Sequence, residues 1–119
     1  MKLIIAIVRP SKLDDVKREL NQIEVVRLTV LPCQGFGRTR GAVPGDVAAS
    51  RSRGGELNLL PKMQLQIAVN DEFVEPTIAA IQAAGRSDDD GEPGDGKIFI
   101  LPMDDCIRIR TGQRGSEAI

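Results

Sequence analysis

The sequence predicts a single α+β domain in which two helices cover one face of a small sheet. Three observations predict it. Lys2 to Arg9 is an almost unbroken apolar run, as expected of a strand at the centre of a sheet. Leu13, Val16, Leu20 and Ile23 then recur at helical spacing. Further on, Met63, Leu65, Ile67 and Val69 alternate with Lys62, Gln64, Gln66 and Ala68, the pattern of a strand with one covered face.

The elements follow in order. After the first strand, Ser11 stands where a helix cap belongs, and Ser11 with Asp14 has capping-box spacing. Asp14, Asp15, Lys17, Arg18 and Glu19 supply the outer face of that helix. Val25 to Cys33 is a β-branched stretch and a second strand. From Gly35 to about Asn58 the periodicity vanishes among glycines and arginines. An unstructured stretch of that length in a small domain is usually functional or disordered, and its place between two good strands with few apolar anchors favours a functional loop over a loose insertion. Leu60 to Val69 is the third strand. Asp71 to Ala84 is a second helix with Val74, Ile78 and Ile81 turned inward. Pro76 is tolerable only near its start, and Gly85 ends it. An acidic loop, Ser87 to Pro93, precedes a fourth strand at Lys97 to Leu101, and Cys106 to Arg110 forms a last short strand. The order β-α-β-β-α-β plus an extra C-terminal strand is the ferredoxin-like split βαβ. With both helices on one face, the other face keeps apolar atoms that association with further copies would cover.

Composition sets the bounds. The 119 residues suffice for one domain spanning 1–119. Sixteen basic against seventeen acidic side chains exclude the broad basic surface of a nucleic-acid binder. With three Phe and neither Trp nor Tyr, the core is aliphatic. No run is long enough to span a bilayer. Leu3 to Val8 is too short for a signal-peptide core and stops at Arg9-Pro10 without a small-residue cleavage site, so a cytoplasmic protein is expected. Cys33 and Cys106 both fall in predicted strands. Without histidine or a C-x-x-C pair they point to reduced thiols rather than zinc.

Two segments carry chemistry. Gly94-Asp95-Gly96-Lys97 is a tight turn whose successive N–H groups can cradle an anion and which delivers one lysine into a strand. Arg108 and Arg110 alternate with Ile107 and Ile109. In a strand the isoleucines face a core and both guanidiniums point the other way together. Paired arginines repel unless an anion lies between them, and guanidinium matches phosphate oxygens in bidentate fashion. A phosphorylated ligand, most simply a nucleotide, fits both. A phosphoryl-transfer enzyme does not, because the chain lacks histidine, a P-loop Gly-Lys-Ser/Thr and a base–nucleophile pair. An RNA-binding sheet would need stacking aromatics.

At this point the chain resembles the PII signal-transduction family over Met1 to Ile119. The resemblance rests on Ile7, Pro10, Lys12 to Val16, Thr29-Val30, Gly35 to Arg38, Leu60 to Lys62, Gly94 to Phe99, Arg108 to Gly112, Gly115 and Ala118-Ile119. It implies a homotrimer that binds ATP or ADP in clefts between subunits. The adenine side would use Ile7, Thr29, Gly35, Phe36, Gly37, Arg38 and Gln66. The phosphates would meet Gly94, Asp95, Gly96 and Lys97 in the 85–96 loop, with Arg108 and Arg110. The 36–58 segment would be the effector loop, presenting Arg40, Arg51 and Arg53 to a target such as an ammonium transporter or a metabolic enzyme. Family members also bind 2-oxoglutarate through magnesium, and Lys62 matches the lysine that pairs with one of its carboxylates. Thr39 departs from the magnesium-ligating glutamine, since its hydroxyl reaches less far and offers no amide oxygen. The absence of Tyr excludes uridylylation of the loop. Asp88 to Glu92 enlarge the loop before Gly94, and acidic charge beside a triphosphate is unfavourable. These departures leave a second reading within the family: a sensor of bicarbonate or another anion in carbon metabolism.

Overall fold

The computed structural model describes residues 1–37 and 59–119. β1, Lys2–Val8, lies at the centre of its sheet, as the apolar run predicts. β2 is Thr29–Gly35, β3 Leu60–Val69 and β4 Gly96–Pro102, in spatial order β2-β3-β1-β4 with every neighbouring pair antiparallel. α1, Leu13–Gln22, and α2, Val74–Gly85, pack on each other and cover one face. This is the split βαβ order.

The alternation of β1 and β3 sets the core. Ile4, Ala6 and Val8 meet Leu65, Ile67 and Val69 under Val16 and Leu20 of α1 and Ile81 of α2. On α2 the inward face is centred differently from the sequence prediction: Thr77, Ile81 and Gly85 are buried, while Val74 and Ile78 are half-buried. Pro76 falls in the first turn of α2, where its missing N–H has no helical partner to lose.

Several boundaries differ from those predicted. Ser11 caps nothing: Pro10–Lys12 form a short 3-10 turn that runs directly into α1, and neither start carries a side-chain cap. β2 begins at Thr29 rather than Val25: the closure of α1 reaches to Val25, and residues 26–28 connect it to the strand. The N–H of Val25 donates to the Leu20 carbonyl and that of Glu24 to the Asn21 carbonyl, a Schellman closure with Glu24 at φ 64°.

The largest correction concerns the C-terminal strand. Among the described residues, Cys106 to Arg110 pairs with nothing as a strand, and a single bridge joins Ile107 to Arg114. The N–H of Gly112 donates to the Arg108 carbonyl at 2.8 Å and closes a turn, with Gly112 at φ 73°. Asp105 clasps the base, accepting from the N–H groups of Cys106 and Gly115 and from Arg114. Ile107 and Ile109 therefore face no core, and Ile109 is fully exposed. Cys106 lies outside any strand, Cys33 lies within β2, and both thiols are free and half-buried.

Candidate functional site

The glycine turn is built by close approach. Val8 pairs with Gly96 and Ile7 with Lys97, so β1 runs directly beside the turn. Any side chain on Gly96 would collide with the Ile7 carbonyl, and its φ of 109° is open only to glycine. Gly94 is also at positive φ, 99°.

Asp95 organises the loop. Its carboxylate accepts from the Ser87 N–H at 2.9 Å and hydroxyl at 2.6 Å, from the Glu92 N–H at 2.8 Å and from Arg9 Nε at 3.1 Å. Burial pushes this carboxyl up. The Ser87 hydroxyl, the two N–H groups and the guanidinium outweigh it and hold the group well below the usual carboxylate range. Arg9 also donates to the Pro93 carbonyl. Sequence reasoning missed Arg9; its only local signal was its place between an apolar strand and Pro10.

From the other side, the buried Lys62 ammonium donates to the Gly94 carbonyl. Burial, and then the nearby Arg9 charge, lower the Lys62 pKa, with Asp95 and Cys33 opposing. The turn is thus gripped by β1 and β3 together. The Lys97 ammonium lies 5.7 Å from the centre of the Phe99 ring, within cation–π range.

Register places the remaining predicted residues. Thr29 pairs with Gln66, Gln66 with Ile5, Gln64 with Ile7, and Cys33 with Lys62. Thr29, Lys62, Gln66, Ile7 and Lys97 consequently share the sheet face that the helices leave uncovered. Gly35 ends β2 opposite Leu60, and Phe36 beyond it is exposed. Among the described residues nothing lies within 4 Å of a side chain placed at Gly37. Arg38, Thr39, Arg40, Arg51 and Arg53, and the 36–58 segment from residue 38 on, lie outside the described residues. Among the described residues no group of three His, Cys, Asp or Glu gathers to hold a metal ion.

Arg108 and Arg110 are elsewhere. Arg108 donates to the Gln113 amide oxygen at 2.9 Å and the Glu117 carbonyl at 3.1 Å. The segment carrying them is pinned to the far end of the sheet: the Met103 N–H donates to the Met1 carbonyl, and Asn70 donates to the Ser116 carbonyl. Register sets Lys2 opposite Pro102 at that end and Val8 opposite Gly96 at the other. The length of β4, about 20 Å, separates the arginines from the glycine turn. The alternation predicted one joint face for the two arginines; the turn instead holds Arg108 inward against Gln113 and leaves Arg110 exposed.

Among the described residues, two hollows flank the sheet. One of about 340 Å³ lies between β4 and α2, with Ile81, Ile98 and Ile100 along it and Arg86, Asp95 and Lys97 at one end. The other, about 290 Å³, sits at the far end beside Val25, Phe73 and Ile119 and holds none of the predicted site residues. Of the residues expected to grip phosphate, the first hollow takes Asp95, Gly96 and Lys97, and neither hollow is lined by Arg108 or Arg110.

Comparison with known proteins decides the family. Residues 1–113 match the family model described as Nitrogen regulatory protein P-II. The chain belongs to the P-II family. This P-II chain is 50% identical to Nitrogen regulatory protein GlnK1 of Methanosarcina mazei over 119 residues, covering all of this chain and 97% of the relative. It is 43% identical to Nitrogen regulatory protein P-II of Nostoc punctiforme and 42% identical to that of Rhodospirillum rubrum, each over 121 residues and the full length of both chains. As a P-II protein it is a signal transducer that regulates nitrogen metabolism, and it is not an enzyme. Among the described residues no helix is long and apolar enough to cross a membrane.

Proposed function

We propose that this chain forms a cytoplasmic homotrimer, binds ATP or ADP in clefts between subunits, and signals through its 36–58 segment to a target such as an ammonium transporter or a metabolic enzyme. The observation that carries the reading is the separation just described. The glycine turn with Lys97 stands at one end of the sheet and Arg108 with Arg110 at the other. A polyphosphate can meet both sets only where two copies abut. The uncovered face supplies the means of abutting, since Leu31, Phe99 and Leu101 are exposed on it. Thr29 and Gln66 lie on the same face for the base, beside Ile7's row. A carboxylate co-effector such as 2-oxoglutarate would engage Lys62, whose ammonium has three donors and gives one to Gly94.

Calorimetry with ATP and ADP tests binding. Lys97→Ala and Arg108→Ala should each weaken it about tenfold or more, as loss of a charge-assisted contact worth about 1.5–3 kcal/mol predicts. Trimers co-assembled from the two variants supply the decisive measurement. If the grip is shared between chains, some sites in the mixture receive Lys97 from one chain and Arg108 from its neighbour, and tight binding returns in a fraction of sites. A mixture as weak as either variant alone refutes the shared site.

A further inference from the structure

We infer that the acidic turn Asp88–Asp90 sets the charge selectivity of the phosphate site, penalising each added phosphate so that the diphosphate is favoured over the triphosphate. This inference rests on the nucleotide reading above.

The geometry comes from the ring that Asp95 closes. Ser87 is bonded to Asp95 through both its N–H and its hydroxyl, and Glu92 is bonded to the same carboxylate. The Asp95 N–H returns to the Glu92 carbonyl at 3.1 Å. Arg86 donates to the Asp89 carbonyl and holds the near side of the turn. Asp88 at φ 57° and Gly91 at φ 71° make the reversals that this small ring needs. The acidic residues are thus not a free tail. They are fixed in one closed loop with Gly94 and Gly96, the groups that would cradle phosphate.

Distance then decides the effect. Consecutive Cα atoms lie about 3.8 Å apart, and Ser87 touches Asp95, so Asp88 stands within about 10 Å of the turn. That is about one screening length in physiological salt. Asp88, Asp89 and Asp90 are exposed, and no ion pair neutralises them among the described residues. Asp95 and Glu92 do have a cation nearby, since Arg9 contacts both. The uncompensated charge is therefore that of the Asp88–Asp90 turn. Its repulsion falls on every phosphate but grows with ligand charge.

The test compares AMP, ADP and ATP by calorimetry in EDTA, with the full chain and with Asp88→Asn/Asp89→Asn/Asp90→Asn. Asparagine keeps the positive-φ conformation at position 88 open, so the fold is retained. The variant should gain affinity in the order ATP, ADP, AMP. The ATP-to-ADP affinity ratio should rise about three- to tenfold at low salt, and less in high salt. Equal gains for the three nucleotides, or none, overturn the inference while leaving the nucleotide site intact. If none of the three binds either protein, the nucleotide reading itself falls and this inference with it.

Discussion

The Lys62 ammonium reaches across from β3 to the Gly94 carbonyl, so the strand that follows residues 38–58 directly holds the glycine turn. A change at either place is felt at the other through one hydrogen bond. Lys62→Met removes it while filling the same space. Amide exchange at Gly94 to Lys97 should accelerate, whereas global stability should shift by only about 1 kcal/mol, because a buried charge leaves with the bond. The wild-type Lys62 pKa lies below the unfolded value, so the folded state binds fewer protons as pH approaches about 10.4 and stability rises there. The variant should lack that rise. Unchanged exchange at the turn would show that the bond restrains nothing.

Asp95 acts in the acid range, where stability again rises with pH. Its folded pKa is depressed below the unfolded value of about 3.9, so its contribution is complete above that pH and is lost as pH falls toward the folded value. Urea titrations at pH 7 and in the acid range should show Asp95→Asn destabilised by about 2 kcal/mol at neutral pH. The difference from wild type should shrink below about pH 4. A constant difference across that range would assign the effect to something other than the charge.

Gly96→Ala should be among the most damaging single changes. The added methyl meets the Ile7 carbonyl at a backbone angle alanine avoids. Displacement of β1 or β4 is the only relief, and a loss of about 3 kcal/mol or more is expected in thermal or urea unfolding. An alanine variant within about 1 kcal/mol of wild type would mean that the close approach relaxes freely.

Glu24→Gly should go the other way. Glu24 closes α1 in the left-handed region, where glycine is at ease and glutamate is not. A gain of about 0.5–1 kcal/mol is expected, with nucleotide affinity unchanged. A loss of stability would contradict the Schellman assignment.

What the sequence revealed follows the length of its patterns. Lys62 to Val69 alternates over eight residues, and β3, Leu60–Val69, contains that run. Lys2 to Val8 is as clear, because only a central strand tolerates so apolar a run. The arginine segment was misleading because four alternating residues fit a strand and a turn equally, and Gly112 with the Asp105 clasp favours the turn. Arg9 was invisible because its partners Pro93 and Asp95 are brought to it only by the tertiary fold. Asp95 itself was predicted among the phosphate contacts. Its oxygens face Ser87, Glu92 and Arg9, an arrangement that no turn motif announces.

The central position of β1 also shapes how the chain comes together. Lys2–Val8 precedes both strands that flank it, Leu60–Val69 and Gly96–Pro102. During synthesis this oily segment has only α1 to pack against, and waits for its strand partners until most of the chain has been made. Its pairings are long-range, which slows folding, and whatever shields it in the interval protects the nascent protein from sticking to its neighbours.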